Sequence, residues 1–188
     1  MAWQKMAQAL ALRRYRRRAA RGSNALSFSA LLQEAQRVLV CLPEQAAEYD
    51  RLVSALAEIR KTFPKAQVTL VQNGAIPVST EMARGFQLIV WGPADLDRSG
   101  GPNSACKKRI FNAPYDVAVD LNRAVHFFSL ALVMESGAPV RAGFADPARE
   151  EYYSFLFRSG SPDPLRAFSG LLAYLGRPKA VPSPLTAC

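Results

Sequence analysis

Residues 114–144 read PYDVAVDLNRAVHFFSLALVMESGAPVRAGF, and this stretch restricts the possible folds more than any other part of the chain. Residues 116–121 (DVAVDL) have the short apolar, Val-rich character of a strand covered on both faces. Residues 123–135 are predicted to form a helix, and residues 140–144 a second strand. Parallel strands cannot be joined by a tight hairpin. They need a crossover, usually a helix, so a strand–helix–strand run predicts a parallel sheet.

The same alternation extends to both sides. Residues 37–42 (RVLVCL) form an apolar run ended by Pro43, read as a strand. A helix is predicted over 45–62, with Leu52, Leu56 and Ile59 facing inward and Pro64 closing it. Residues 67–72 (QVTLVQ) are a second strand, followed by an Asn73-Gly74 turn. A short helix is placed at 79–84, and residues 86–91 (FQLIVW) are a third strand. The stretch 92–104 is rich in Gly, Pro, Ser and Asp and reads as an exposed loop, with a short helix before Pro114. Residues 152–157 (YYSFLF) are read as a sixth, edge strand. Asp163 has the character of an N-cap with Pro164 at the first helical position. The helix it opens carries Leu165, Phe168, Leu172 and Leu175 on one face, and a Pro-rich tail follows. The pattern is an α/β domain with a mostly parallel sheet of five to six strands.

A chain of 188 residues suits one such domain. It contains no apolar run approaching the roughly 18 residues that span a bilayer. Cys41, Cys106 and Cys188 are odd in number and far apart. That spacing predicts a reducing compartment, hence a cytoplasmic location, and neither a disulfide framework nor a metal site. The formal charge of +9 is unevenly spread. Residues 1–33 hold seven cations (Lys5, Arg13, Arg14, Arg16, Arg17, Arg18 and Arg21) and no acid, which leaves the remainder at +2. Residues 2–21 are predicted to form a helix in which Trp3, Met6, Ala7 and Leu10 make an apolar stripe before RRYRRRAAR, and a second short helix is placed at 29–36. The expected organisation is a basic helical arm at 1–36, a globular domain at 37–176 and a tail at 177–188.

Two segments carry a family resemblance. The run RVLVCLPEQAAEYDRLVSALAEIRKTFPKAQVTLV follows the course of a strand, loop and helix ending in Phe-Pro. Later come Tyr115, Asp116, Val119, Asp120, Leu121, Ser129, and then Gly137, Ala138, Pro139, Arg141, Gly143 and Phe144. Over residues 37–145 the chain resembles the N-terminal domain of heptosyltransferase-type glycosyltransferases. It also resembles a group of short single-domain bacterial proteins with a basic N-terminal helix and the same half-fold. The resemblance implies a Rossmann-like domain, half of a two-domain GT-B enzyme whose C-terminal half holds the sugar nucleotide. It also implies that Glu48 stands where the family has its catalytic Asp, and Ala47 where it has a Gly. Only 44 residues follow Phe144, fewer than the roughly 100–200 of a second domain, so a non-catalytic role is the expectation.

Individual candidates carry alternative readings. Glu44, Glu48 and Asp50 lie at the C-terminal end of the first strand, where open α/β sheets bind ligands. The same acids would also complement a helix dipole. A carboxylate at Glu48 would serve as a general base if the chain is enzymatic. Asp116 and Asp120 flank a buried strand, and Asp120 is read as a cap or loop anchor. His126 is the single histidine, which limits zinc sites and catalytic triads, and it is read as packed in a helix beside Phe127 and Phe128. Residues 100–108 (GGPNSACKK) lack the Gly before Lys and the Ser/Thr after it that a phosphate loop needs. No G-x-G-x-x-G follows the first strand, so neither a dinucleotide nor any other cofactor is expected.

The arm is the strongest functional signal. Arginine forks pair with phosphate oxygens. The expectation is therefore an interaction protein docked through Lys5, Arg13, Arg14, Arg16, Arg17, Arg18 and Arg21 on an anionic partner. Two partners fit: RNA or a ribonucleoprotein, and an anionic membrane surface or membrane-protein complex at the inner face of the membrane, with Trp3, Met6 and Leu10 as apolar contacts. Alternatives are the acceptor-binding half of a glycosyltransferase working with a separate donor-binding subunit, and a structural subunit of a large assembly. Arg-rich, acid-free N-termini also occur in transit peptides.

Overall fold

The computed structural model describes residues 2–20, 28–52, 56–76 and 84–176. Six strands form one sheet: β1 (Arg37–Cys41), β2 (Gln67–Asn73), β3 (Gln87–Trp91), β4 (Val117–Asp120), β5 (Val140–Phe144) and β6 (Phe155–Phe157). Every pairing is parallel, and the spatial order is β3-β2-β1-β4-β5-β6. The chain adds β2 and β3 on one side of β1, then returns to place β4, β5 and β6 on the other. The expected Rossmann-like α/β domain is thus present, with a topological switch point between β1 and β4.

Side-chain alternation divides the core in two. Val38, Val40, Val68, Leu70, Val117, Val119, Val140 and Ala142 point to one face. There they meet α2 (Phe28–Gln33), α3 (Ala46–Leu52), α4 (Leu56–Thr62) and α7 (Pro164–Gly176). Leu39, Cys41, Val71, Ile89, Trp91 and Ala118 point to the other face, covered by α5 (Ser104–Ile110), α6 (Phe127–Glu135) and α1 (Ala2–Ala20). Strands covered on both faces must be apolar at successive positions, which is why β1 and β4 read as unbroken hydrophobic runs.

Local chemistry sets the element ends. The Asn103 side chain caps α5 by accepting from the Cys106 N–H at 2.9 Å. Asp163 accepts from the Leu165 N–H ahead of α7, in which Phe168, Leu172 and Leu175 are buried as the spacing predicts. Asp116 ties the start of β1, with Oδ2 accepting from the Gln36 and Arg37 N–H groups at 2.8 and 2.9 Å.

Three expectations change. The helix expected over 123–135 begins at Phe127, because the Asn122 and Ala124 carbonyls are held by the Arg149 guanidinium, each at 2.7 Å. His126 is therefore not inside the helix but is its N-cap residue, with extended backbone. The edge strand is shorter than 152–157, since the Tyr152 and Tyr153 N–H groups turn back to the Arg149 carbonyl. The helix expected at 45–62 is seen as α3 and α4, with 53–55 outside the described residues. Most of the helix expected at 79–84, together with Arg21 and the tail at 177–188, also lies outside the described residues.

The basic helix lies against the domain. Tyr15 is buried, and its hydroxyl donates to Glu135 Oε1 at 3.1 Å. Glu135 also takes Lys107 at 3.1 Å and lies 3.8 Å from Arg18, while Arg16 pairs with Glu151. Toward the N-terminus, Gln4 and Gln8 lie over Gly100. No helix among the described residues is long and apolar enough to cross a membrane.

Candidate functional site

The switch point is framed by the segments that follow β1 and β4. The Leu121 N–H donates to the Cys41 carbonyl at 3.0 Å, continuing the ladder past the strands. Asn122 then stitches the two segments together. Its Oδ1 accepts from the Glu44 N–H at 2.8 Å, and its Nδ2 donates to the Leu42 carbonyl at 3.2 Å and to Asp120 Oδ1 at 2.8 Å. The two loops are held as one rigid rim.

Below the rim lies a fully buried polar cluster. Asp120 accepts from the Tyr153 hydroxyl at 2.7 Å and the Ser129 hydroxyl at 3.4 Å, with Arg149 Nη2 also 3.4 Å away. Neither Asp120 nor Arg149 has any solvent exposure. Burial and the neighbouring Asp120 charge push the Tyr153 hydroxyl well up. Burial also raises the Cys41 thiol, which makes it an inert core side chain. Asp120 is a loop anchor, as its sequence position suggested.

On the rim, His126 Nδ1 lies 3.3 Å from Glu44 Oε2. The other oxygen of Glu44, Oε1, is buried without a hydrogen-bond partner among the described residues. Burial raises the Glu44 pKa, Asp120 adds to this, and His126 opposes it. Glu48 stands in the first turn of α3 and is half-buried. Burial raises its pKa as well, against the Arg123 charge, a hydrogen bond from the Arg123 backbone and the charges of His126 and Arg149. Arg123 itself donates to the Pro162 carbonyl at 2.6 Å. The rim thus places two carboxyls of raised proton affinity, one imidazole and one guanidinium around the end of β1. Such a set can hydrogen-bond the hydroxyls of a polar ligand and take up a proton.

Of the residues singled out in the sequence, Glu44, Glu48 and His126 come together here, with Asp120 beneath them. Asp116 lies at the opposite end of the sheet. Asn122, Arg123 and Arg149 were not singled out. Asn122 and Arg123 come just after Asp120 and Leu121, and their position at the C-terminal end of a central strand is the signal that would have marked them. The loop at 97–101 is held by Asp97, which accepts from the Ser99 and Gly101 N–H groups and the Ser99 hydroxyl. Among the described residues, no group of three or more His, Cys, Asp or Glu side chains is placed to hold a metal ion.

The cationic candidates form a separate region. A hollow of about 690 Å³ is lined by Leu10, Arg13, Arg14, Arg17 and Arg18 of α1. Volume alone does not locate chemistry. The rim has the rigid framework and the perturbed carboxyls, while the hollow is an open groove beside a helix.

No family model and no curated protein matches this sequence. Solved structures do match the fold. A glycosyl transferase of family 9 from Veillonella parvula superposes with a TM-score of 0.59 at 17% identity, over 81% of this chain and 43% of that one. The E. coli heptosyltransferase WaaC with ADP superposes with a TM-score of 0.52 at 17% identity, over 74% of this chain and 46% of the enzyme. The same enzyme with ADP-2-deoxy-2-fluoro heptose gives 0.50 at 14% identity. The chain spans less than half the length of these structures. It has the fold of a glycosyltransferase-like half-domain, in agreement with the resemblance read from residues 37–145.

Proposed function

We propose that this chain is the acceptor-binding half of a glycosyl-transfer system that works with a separate donor-binding subunit. The observation that carries this reading is the pairing of Glu44 and Glu48 with Asn122, Arg123 and His126 at the switch point of a heptosyltransferase-like half-fold. Open α/β sheets bind ligands at that place. The acceptor sugar lies over the C-terminal ends of β1 and β4. Glu48 removes the proton of the acceptor hydroxyl as its oxygen bonds to the anomeric carbon of the donor sugar. The bond from that carbon to the nucleotide diphosphate breaks, and the electron pair leaves with the diphosphate. A carboxyl whose proton affinity is raised by burial is a better base for this step than an exposed one.

The native protein, purified with its bound partner, should transfer sugar from a sugar nucleotide. Glu48→Gln should lower the rate by about 10²- to 10⁴-fold with the complex still assembled. The wild-type rate should fall as acid protonates Glu48, beginning above the ordinary carboxyl value of 4.5. Transfer unaffected by Glu48→Gln would remove Glu48 from the chemistry.

The exposed cationic side of α1 favours a second reading, a non-catalytic accessory protein in which the rim stays idle and the chain serves to dock its partner. An intact complex that lacks transfer activity altogether selects this reading.

A further inference from the structure

Helix α1 has two faces, and the domain uses one of them. Tyr15, Leu12, Ala11 and Ala19 pack on the domain core, and Gln4 and Gln8 lie on the 97–101 loop. Trp3, Met6 and Leu10 point away, at 84%, 58% and 63% exposure. At 3.6 residues per turn, Arg13, Arg14 and Arg17 fall on the same outward arc, about 100° wide. The outward face is therefore apolar over its first turns and cationic over its last. Among the described residues no carboxylate lies within ion-pair distance of Lys5, Arg13, Arg14 or Arg17, whereas Arg16 and Arg18 have Glu151 and Glu135.

We propose that this face docks on an anionic lipid bilayer. Large apolar side chains held in water by a helix that is itself anchored need an apolar medium. The arginines one turn further on need phosphate-like acceptors at the boundary of that medium. A charged bilayer surface supplies both within the length of one interfacial helix. An RNA phosphate backbone would satisfy the arginines but leave Trp3, Met6 and Leu10 in water. An uncharged apolar protein surface would do the reverse. Because α1 is fixed by Tyr15, Arg16 and the contacts with Gly100, the face is presented in a single orientation. This inference stands whether or not the switch-point rim transfers sugar.

Co-sedimentation of the full chain with phosphatidylcholine vesicles, with and without 30% phosphatidylglycerol, provides the test. Binding is expected only to the anionic vesicles, together with a blue shift of fluorescence that Trp3→Phe removes; Trp91 is buried against Phe128 and serves as the internal reference. Replacing Arg13, Arg14 and Arg17 with Gln should weaken binding roughly 100-fold. Trp3→Ser with Leu10→Ser should weaken it about tenfold or more. All three variants alter exposed positions, and unchanged circular dichroism verifies their folding. The proposal is overturned if anionic vesicles are not bound, or if the Trp3/Leu10 variant binds them as tightly as wild type. It is also overturned if a single-stranded RNA oligonucleotide, and not the vesicles, is the probe whose binding the three arginines govern.

Discussion

Arg149 shows how one side chain sets the shape of the rim. Its guanidinium takes the carbonyls of Phe144, Asn122 and Ala124 and lies beside Asp120, with both charged side chains away from water. Removing one partner of a buried charged pair strands the other. Arg149→Met should therefore cost about 3–5 kcal/mol in chemical denaturation, and Asp120→Asn added to it should recover part of that loss. A loss below about 1 kcal/mol would show that water reaches the cluster. Gly143 belongs to the same device: a Cβ there would come within 2.9 Å of the Tyr153 ring, whose hydroxyl holds Asp120. Asp120 was legible in the sequence because it ends an apolar run. Arg149 was not, because DPARE reads as an ordinary surface turn and its burial depends on carbonyls 25 and 27 residues away. His126 was misplaced for the same reason, since the carbonyls that would have started its helix are bound to Arg149.

At the scale of elements, α1 is joined to the domain chiefly through Tyr15 and Glu135. Burial together with the nearby carboxylate drives the Tyr15 hydroxyl up, so it stays a neutral donor at any physiological pH. Tyr15→Ala removes a buried ring and a hydrogen bond, a loss of roughly 2–4 kcal/mol in docking. Amide exchange in α1 should accelerate by at least tenfold while β1 and β4 keep their protection. Equal acceleration throughout the sheet would mean that α1 and the domain unfold as one unit. The strands were legible because both their faces are covered, which writes an unbroken apolar run into the sequence. Helix α7 was legible from its cap and its spacing. The docking of α1 was not, because Trp3, Met6 and Leu10 form the more conspicuous stripe and it faces outward, while the inward face is marked mainly by small and polar residues and Tyr15.

For the whole molecule, the strand order places Glu44 and Glu48 opposite Asn122, Arg123 and His126. The fold is that of a glycosyltransferase-like half-domain, and the rim stands where such sheets take their ligands. The sequence pointed to that fold through residues 114–144 and to Glu48 by its position after β1. It did not point to the partners of Glu48, which are assembled by the return of the chain from β3 to β4. Sugar transfer at this rim requires that a polyhydroxylated ligand bind there. The most direct measurement is a titration of the ¹⁵N-labelled full chain with a panel of hexoses, heptoses and their phosphates, followed by backbone amide shifts. Saturable shifts concentrated at residues 44–48 and 121–126 are expected for at least one sugar, reduced in Glu48→Gln. Shifts absent for every sugar, or confined to α1, would contradict sugar transfer at this rim.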